Sequence, residues 1–175
     1  MKKTIGTVRA IVFGSMLTAA VSCEGMQIEN VAGLIYDGNE HDLTPLWKDY
    51  LSQHFDATHR AYLMHNGKDC SLLSHAACAG KPLLLATMGH LDTLTLEDLG
   101  NLFSALKPTA YASHDQYTAL EQIVQAMIGT FGIDRVRQYR DARGRSFDQI
   151  VAEGTAGDFN AQRSIFPKLR EWGLY

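Results

Sequence analysis

The chain lacks a hydrophobic run long enough to span a membrane. Its longest apolar run, Ala10–Val21, has twelve residues, whereas a transmembrane helix needs about 20. It also lacks any useful length of alternating apolar and polar residues, the pattern of half-buried strands. We therefore expect neither a membrane-spanning helix nor an extensive β-sheet.

Motifs that carry well-known chemistry are absent as well. The sequence has no Gly-x-Ser-x-Gly elbow, no phosphate-binding glycine loop and no Cys-x-x-Cys or His-x-x-x-His pair, so we expect no catalytic residue, cofactor or metal. One alternative remains open, because zinc sites use histidine and cysteine ligands. His75 and Cys78 are three residues apart on a predicted helix. Cys70, His65 and His90 could add ligands, which would suit a small exported metal- or thiol-dependent hydrolase.

The first 22 residues predict export. Two lysines follow Met1, and small residues stand at the end of the apolar run, as in a bacterial secretory signal peptide. Cleavage after Ser22 would leave Cys23 at the mature N-terminus. Residues 17–23 also resemble a lipobox, the motif that ends at the lipidated cysteine of a bacterial lipoprotein. Simple export and export with a lipid on Cys23 are therefore expected equally. The expected location is the periplasm, the cell envelope or the medium, with membrane attachment only through a lipid on Cys23.

Positive charge is scarce in the predicted mature chain. Removal of Lys2, Lys3 and Arg9 leaves 13 basic and 19 acidic residues, a net charge of −6. This balance excludes a nucleic-acid-binding surface of the usual kind. No run of consecutive lysine or arginine residues follows the predicted cleavage site, so we expect no binding to an anionic membrane surface.

Only two cysteines, Cys70 and Cys78, follow Cys23. If both lie on one helix, eight residues separate their Cα atoms by about 12 Å. A disulfide requires about 7 Å or less. The strongly helical sequence around Ser71–Ala77 therefore predicts reduced, buried cysteines.

The remaining sequence predicts a series of short helices. Thr44-Pro45 is typical of a helix start, because threonine caps and proline suits the first turn. Thr95 and Asp98 predict a capping box. The segment 23–41 has no clear period and is interpreted as a leader, followed by one helical domain over 42–175. Further helices are predicted at Ala57–Met64, Asp69–Gly80, Pro82–Met88, 95–106, 120–131, 147–151 and from Asp158, with a kink or break at Pro167.

One stretch resembles a known family. Residues 140–154, Arg-Asp-Ala-Arg-Gly-Arg-Ser-Phe-Asp-Gln-Ile-Val-Ala-Glu-Gly, resemble an ankyrin repeat, in which an Asp…Gly turn precedes a short first helix. The good match covers residues 140–157. Thr44-Pro45-Leu46-Trp47, residues 67–77 and residues 118–124 resemble degenerate repeat starts. The starts at 44, 71, 118 and 146 depart from the family period of about 33, so residues 89–117 must contain an inserted helix.

The resemblance implies an all-α solenoid of stacked helix pairs; the alternative is an irregular helical bundle. It also implies an exported protein-interaction module whose partner the sequence does not identify. Within the repeat turn, Arg143 and Arg145 are expected to point outward and to be available to that partner.

Overall fold

The computed structural model describes residues 26–63, 67–106 and 114–175. Over these ranges the protein is mostly helical, which confirms the predicted class at that level, and it also contains a two-stranded sheet. The helices are α1 Ile28–Asp37, α2 Glu40–Asp49, α3 Leu72–Cys78, α4 Pro82–Met88, α5 Leu96–Ala105, α6 His114–Phe131, α7 Ile133–Gln138, α8 Phe147–Gly154 and α9 Phe159–Glu171. The strands are β1 Arg60–Leu63 and β2 Lys68–Ser71.

The predicted helix at Ala57–Met64 is wrong. Residues 60–63 form β1, which pairs antiparallel with β2 so that Ala61 lies opposite Cys70. Exposure alternates along β1, with Ala61 and Leu63 buried and Arg60 and Tyr62 exposed. This period of two is the strand signal, and four residues are too few for it to stand out in the sequence.

The segment interpreted as a leader contains α1. Val31, Ala32 and Ile35 have no exposed surface and belong to the core. Together with Ile28 they have the i, i+3, i+4, i+7 spacing of a helix face. The periodic signal was therefore present in the sequence, and Gly33, a poor helix former in the middle of the segment, obscured it.

Helix α2 begins earlier than Thr44-Pro45 predicted. Asn39 is its N-cap, and the Asn39 side chain accepts a hydrogen bond from the backbone N–H of His41 at 2.9 Å. Pro45 consequently lies inside the helix. Other local predictions agree with the structure: Thr95 and Asp98 form the capping box of α5, and Asp158 caps α9 through the N–H of Ala161. Helix α9 continues through Pro167, which does not split it.

The helices pack in two rows. In one row α3 packs between α1 and α5, and α5 also contacts α8. In the other row α4 packs between α2 and α6. Consecutive helices of the chain therefore fall alternately into the two rows as far as α6, and apolar side chains from both rows form one continuous core.

Glu40 connects three of these helices. From the first turn of α2, its Oε1 accepts the backbone N–H groups of Leu83 and Leu84 in α4 at 2.7 and 3.2 Å. Its Oε2 accepts a hydrogen bond of 3.1 Å from Gln116 in α6. Nearby, the buried Lys81 donates to the carbonyl of Gly38. Burial lowers the pKa of Lys81, and the charge of Glu40 opposes that shift.

Candidate binding groove

A polar groove of about 560 Å³ separates α5 from the segment between α7 and α8. We call it the α5 groove. One wall is the solvent-facing side of α5, where Glu97, Asn101 and Ser104 follow each other at helical spacing. The other wall is residues 139–145. The volume lies within the range of about 300–1,000 Å³ that is usual for ligand pockets.

Tyr139 lies between the two walls. Its ring stacks on Phe147, with centroids 4.8 Å apart, and its hydroxyl lies against Gly100 of α5. Burial raises the pKa of the Tyr139 phenol, and the negative charge of Asp141 adds to the shift. The phenol is therefore a neutral hydrogen-bonding group of the groove at physiological pH.

The predicted turn at Asp141–Arg145 is present. The Asp141 Oδ1 accepts the backbone N–H groups of Arg143 and Arg145, both at 2.8 Å. Gly144 donates its N–H to the Asp141 carbonyl at 2.8 Å and has a φ of 76°. A positive φ is inexpensive for glycine, which explains why the turn carries glycine at this position.

Arg145 does not point outward as the sequence suggested. Its Nε donates to Asp141 Oδ2 at 2.8 Å, and its Nη1 bonds to Glu153 of α8. Only 19% of its side chain is exposed. Hydrogen bonds from Arg145, first from its backbone N–H, lower the pKa of the Asp141 carboxyl. Arg145 therefore braces the turn against α8.

Two other arginines do face solvent. Arg143 is exposed as expected, and its side chain has no hydrogen-bond or ion-pair partner among the described residues. Arg140 is also exposed, and its Nη1 donates to the carbonyls of Arg137 and Tyr139 at 3.0 and 2.6 Å. Sequence reasoning overlooked Arg140, although the signal was available: five arginines fall within residues 135–145.

The histidine and cysteine residues that the structure describes do not assemble into one site. His90 lines a separate cavity of about 330 Å³, with Trp47 and His54. His65 lies outside the described residues. Within residues 26–63, 67–106 and 114–175, no group of three histidine, cysteine, aspartate or glutamate side chains is placed to hold a metal ion.

Cys70 and His75 do come together. Because Cys70 lies in β2 and Cys78 ends α3, the expected placement of both cysteines on one helix is wrong. The Cys70 sulfur is 3.5 Å from His75 Nε2 and 3.6 Å from Nδ1. Nε2 donates to the Ala61 carbonyl at 2.9 Å, because that oxygen can only accept. A sulfur equidistant from both nitrogens lies off the Nδ1 lone-pair axis, so the pair is not aligned for proton transfer.

The predicted signal peptide of residues 1–22 and the candidate lipidation site Cys23 lie outside the described residues. None of the helices that the structure describes has the length and apolarity needed to cross a bilayer.

Comparison with known proteins identifies no relative. The chain matches no family model, no curated protein and no solved structure.

Proposed function

We propose that this protein is an exported protein-binding module that uses the α5 groove to hold a segment of its partner. The groove is the observation that carries the proposal. It combines a polar helix face, bearing Asn101 and Ser104, with a rigid turn that presents Arg143. Such an arrangement of polar helix side chains beside an exposed guanidinium suits recognition of a polar peptide.

The two rows of helices support a repeat-like scaffold of the ankyrin type. In stacked helix pairs, each pair contacts its neighbours, and the turns line up along one side. Here α5 and α8 are adjacent members of one row, and the turn before α8 lies against α5. This is the arrangement by which a stacked-pair protein forms an extended binding surface, and the α5 groove would be one section of it.

Site-specific photocrosslinking tests the proposal. A photoreactive amino acid is placed at Ala142 or Ser104, both exposed in the groove, and at Ser164, exposed on α9, as the matched control. The full chain is expressed in its native host, and cell envelope and medium are illuminated. We expect a discrete adduct from the two groove positions and none from Ser164. Equal labelling from all three positions, or no adduct at all, would contradict a binding role for the groove.

A second candidate function, thiol-dependent hydrolysis, is favoured by the contact between Cys70 and His75. Hydrogen bonds of catalytic pairs are often misaligned without substrate. Ester hydrolysis by the purified mature protein tests it. The activity should disappear in Cys70→Ala and persist in Cys78→Ala. Activity that survives in Cys70→Ala, or is absent from the wild type, excludes this candidate.

A further inference from the structure

We propose that the segment held by the α5 groove is acidic, and that its carboxylates bind Arg140 and Arg143. This inference depends on the proposed function and specifies the chemistry of the partner. It follows from which charges near the groove are already neutralised and which are not.

The three arginines of the groove have different roles. Arg145 is neutralised by Asp141 and Glu153. Arg143 is exposed, with no side-chain partner in the described part of the chain. A guanidinium offers five donors in a planar fork that matches a carboxylate. Arg143 is therefore a cation available to a ligand, three residues from a second one, Arg140.

Arg140 is already oriented for binding. Its Nη1 is held by the carbonyls of Arg137 and Tyr139, which restricts the side chain. Among the described residues its Nε and Nη2 have no hydrogen-bond partner, which leaves both for a ligand. Because part of the rotamer entropy is already lost in the unbound protein, an incoming carboxylate costs less side-chain entropy than it would at a mobile arginine.

The opposite wall suits a polypeptide. Asn101 and Ser104 line it together with Glu97. Neither the Asn101 nor the Ser104 side chain hydrogen-bonds within the regions the structure describes. The one carboxylate of this wall faces two exposed guanidinium groups, those of Arg140 and Arg143, on the other wall. Asparagine both donates and accepts, as does serine, so the pair can satisfy backbone amides of an extended segment. A groove with an amide-binding wall and a cationic wall matches a short peptide carrying aspartate or glutamate.

The surrounding charge argues for a short acidic segment over a long polyanion. Residues 133–175 contain eight basic and six acidic residues, whereas residues 26–106 contain four basic and ten acidic. Nucleic acids require an extended basic surface. The excess of positive over negative charge in residues 133–175 is small, so it complements a few local carboxylates.

Fluorescence anisotropy with three labelled eight-residue peptides tests the inference. The peptides alternate glycine with glutamate, glutamine or lysine, and the full mature chain is titrated at low ionic strength. We expect the glutamate peptide to bind at least about tenfold more tightly than the other two, because charged hydrogen bonds contribute more than neutral ones. Added salt should weaken this binding.

Variants locate the interaction. Arg143→Ala and Arg140→Ala should each weaken binding of the glutamate peptide by about three- to tenfold, the effect of losing one charged contact. Arg163→Ala removes the same charge from an exposed position of α9 and should leave binding unchanged. Thermal unfolding of each variant verifies that the fold is retained. If Arg163→Ala weakens binding as much as Arg143→Ala, the attraction is nonspecific and the inference is wrong.

The remaining outcomes separate this inference from the proposed function. Equal binding of the glutamate and glutamine peptides, with groove crosslinks still present, overturns the acidic ligand and retains the binding module. Absence of both peptide binding and crosslinks overturns both. Sedimentation that reveals self-association dependent on Arg143 would identify a second copy of the chain as the occupant, and would overturn an external partner.

Discussion

The hydroxyl of Tyr139 occupies the space that a side chain at position 100 would fill. A Cβ on Gly100 would lie 2.5 Å from the Tyr139 oxygen and 2.9 Å from its Cε1. Tyr139 also stacks on Phe147 of α8. Because Gly100 has no side chain, the wall of the groove that carries Tyr139 can pack closely against α5.

Gly100→Ala should therefore destabilise the protein. Alanine favours a helix interior by up to about 1 kcal/mol over glycine, but displacing the Tyr139 ring costs about 1–3 kcal/mol of overpacking. We expect a net loss of about 1–2 kcal/mol by urea denaturation. Gly129→Ala is the matched control, because Gly129 lies in α6 with nothing within 4 Å of its would-be Cβ. It should be neutral or stabilising. A stabilising Gly100→Ala would contradict the close packing.

Ile150→Asp should be more damaging than Gly144→Val. Ile150 is 1% exposed within the apolar core, and a carboxylate placed there would lose its hydration, so we expect a loss of about 4 kcal/mol. A Cβ at Gly144 meets no atom within 4 Å. Valine there suffers only from the positive φ, at a cost of about 1–2 kcal/mol. Denaturant unfolding ranks the two variants, and the reverse order would contradict the burial of α8.

The Asp141 turn should make stability depend on acid pH. Hydrogen bonds hold the folded pKa of Asp141 below its ordinary value of 3.8. Its stabilising contribution is complete above that value and is lost as the pH falls through the folded pKa. At pH 7 the melting temperature of the wild type should be higher than that of Asp141→Asn. This difference in melting temperature should shrink below about pH 4. A difference that stays constant from pH 7 to pH 2.5 would show that the carboxylate charge is not responsible.

Loss of Glu40 should loosen the row that α2, α4 and α6 form. Glu40→Ala leaves the Leu83 and Leu84 N–H groups at the start of α4 without their acceptor, at an expected cost of about 2–3 kcal/mol. Glu40→Gln keeps an acceptor oxygen and should lose less. Glu29→Ala, at an exposed position in the first turn of α1, is the control and should change stability by less than about 0.5 kcal/mol. Equal effects of Glu40→Ala and Glu29→Ala would mean that the bridge contributes nothing.

Export should produce a mature chain that begins at Cys23, because small residues precede it and the apolar run is too short to span a bilayer. Mass spectrometry of the protein from cell envelope and medium measures this directly. An added diacylglycerol mass on Cys23 would select the lipoprotein form. Recovery of a chain that still starts at Met1 would contradict cleavage.

Helices α5 and α6 could be predicted from sequence because their apolar side chains repeat at helical spacing over several turns. The stripes at Leu99–Phe103 and Leu120–Met127 are buried as expected. Capping boxes are local, so Thr95–Asp98 was also predictable. The β1–β2 pair was not, because each strand has four residues, and its stability depends on a partner that no local window contains.

The candidate site could be predicted only in part. The glycine turn and the exposure of Arg143 follow from local sequence. Arg145 pairs with Glu153, and the start of α8 lies between them in the sequence. Arg143 and Arg145 therefore have opposite environments, although their local sequences are similar. The α5 wall was not predictable either, because Glu97 and Tyr139 are brought together only by helix packing.

The hydrogen bonds of Glu40 determine how the protein unfolds. In an array of independent repeats, terminal units can fray while the centre stays folded. Here the first helix pair supplies the acceptor for the start of α4 and a contact to α6, so its loss exposes donors in the middle of the chain. Unfolding should accordingly be one cooperative transition. Removal of the residues before position 50, which include α1 and α2, should abolish folding instead of shortening the molecule by one unit.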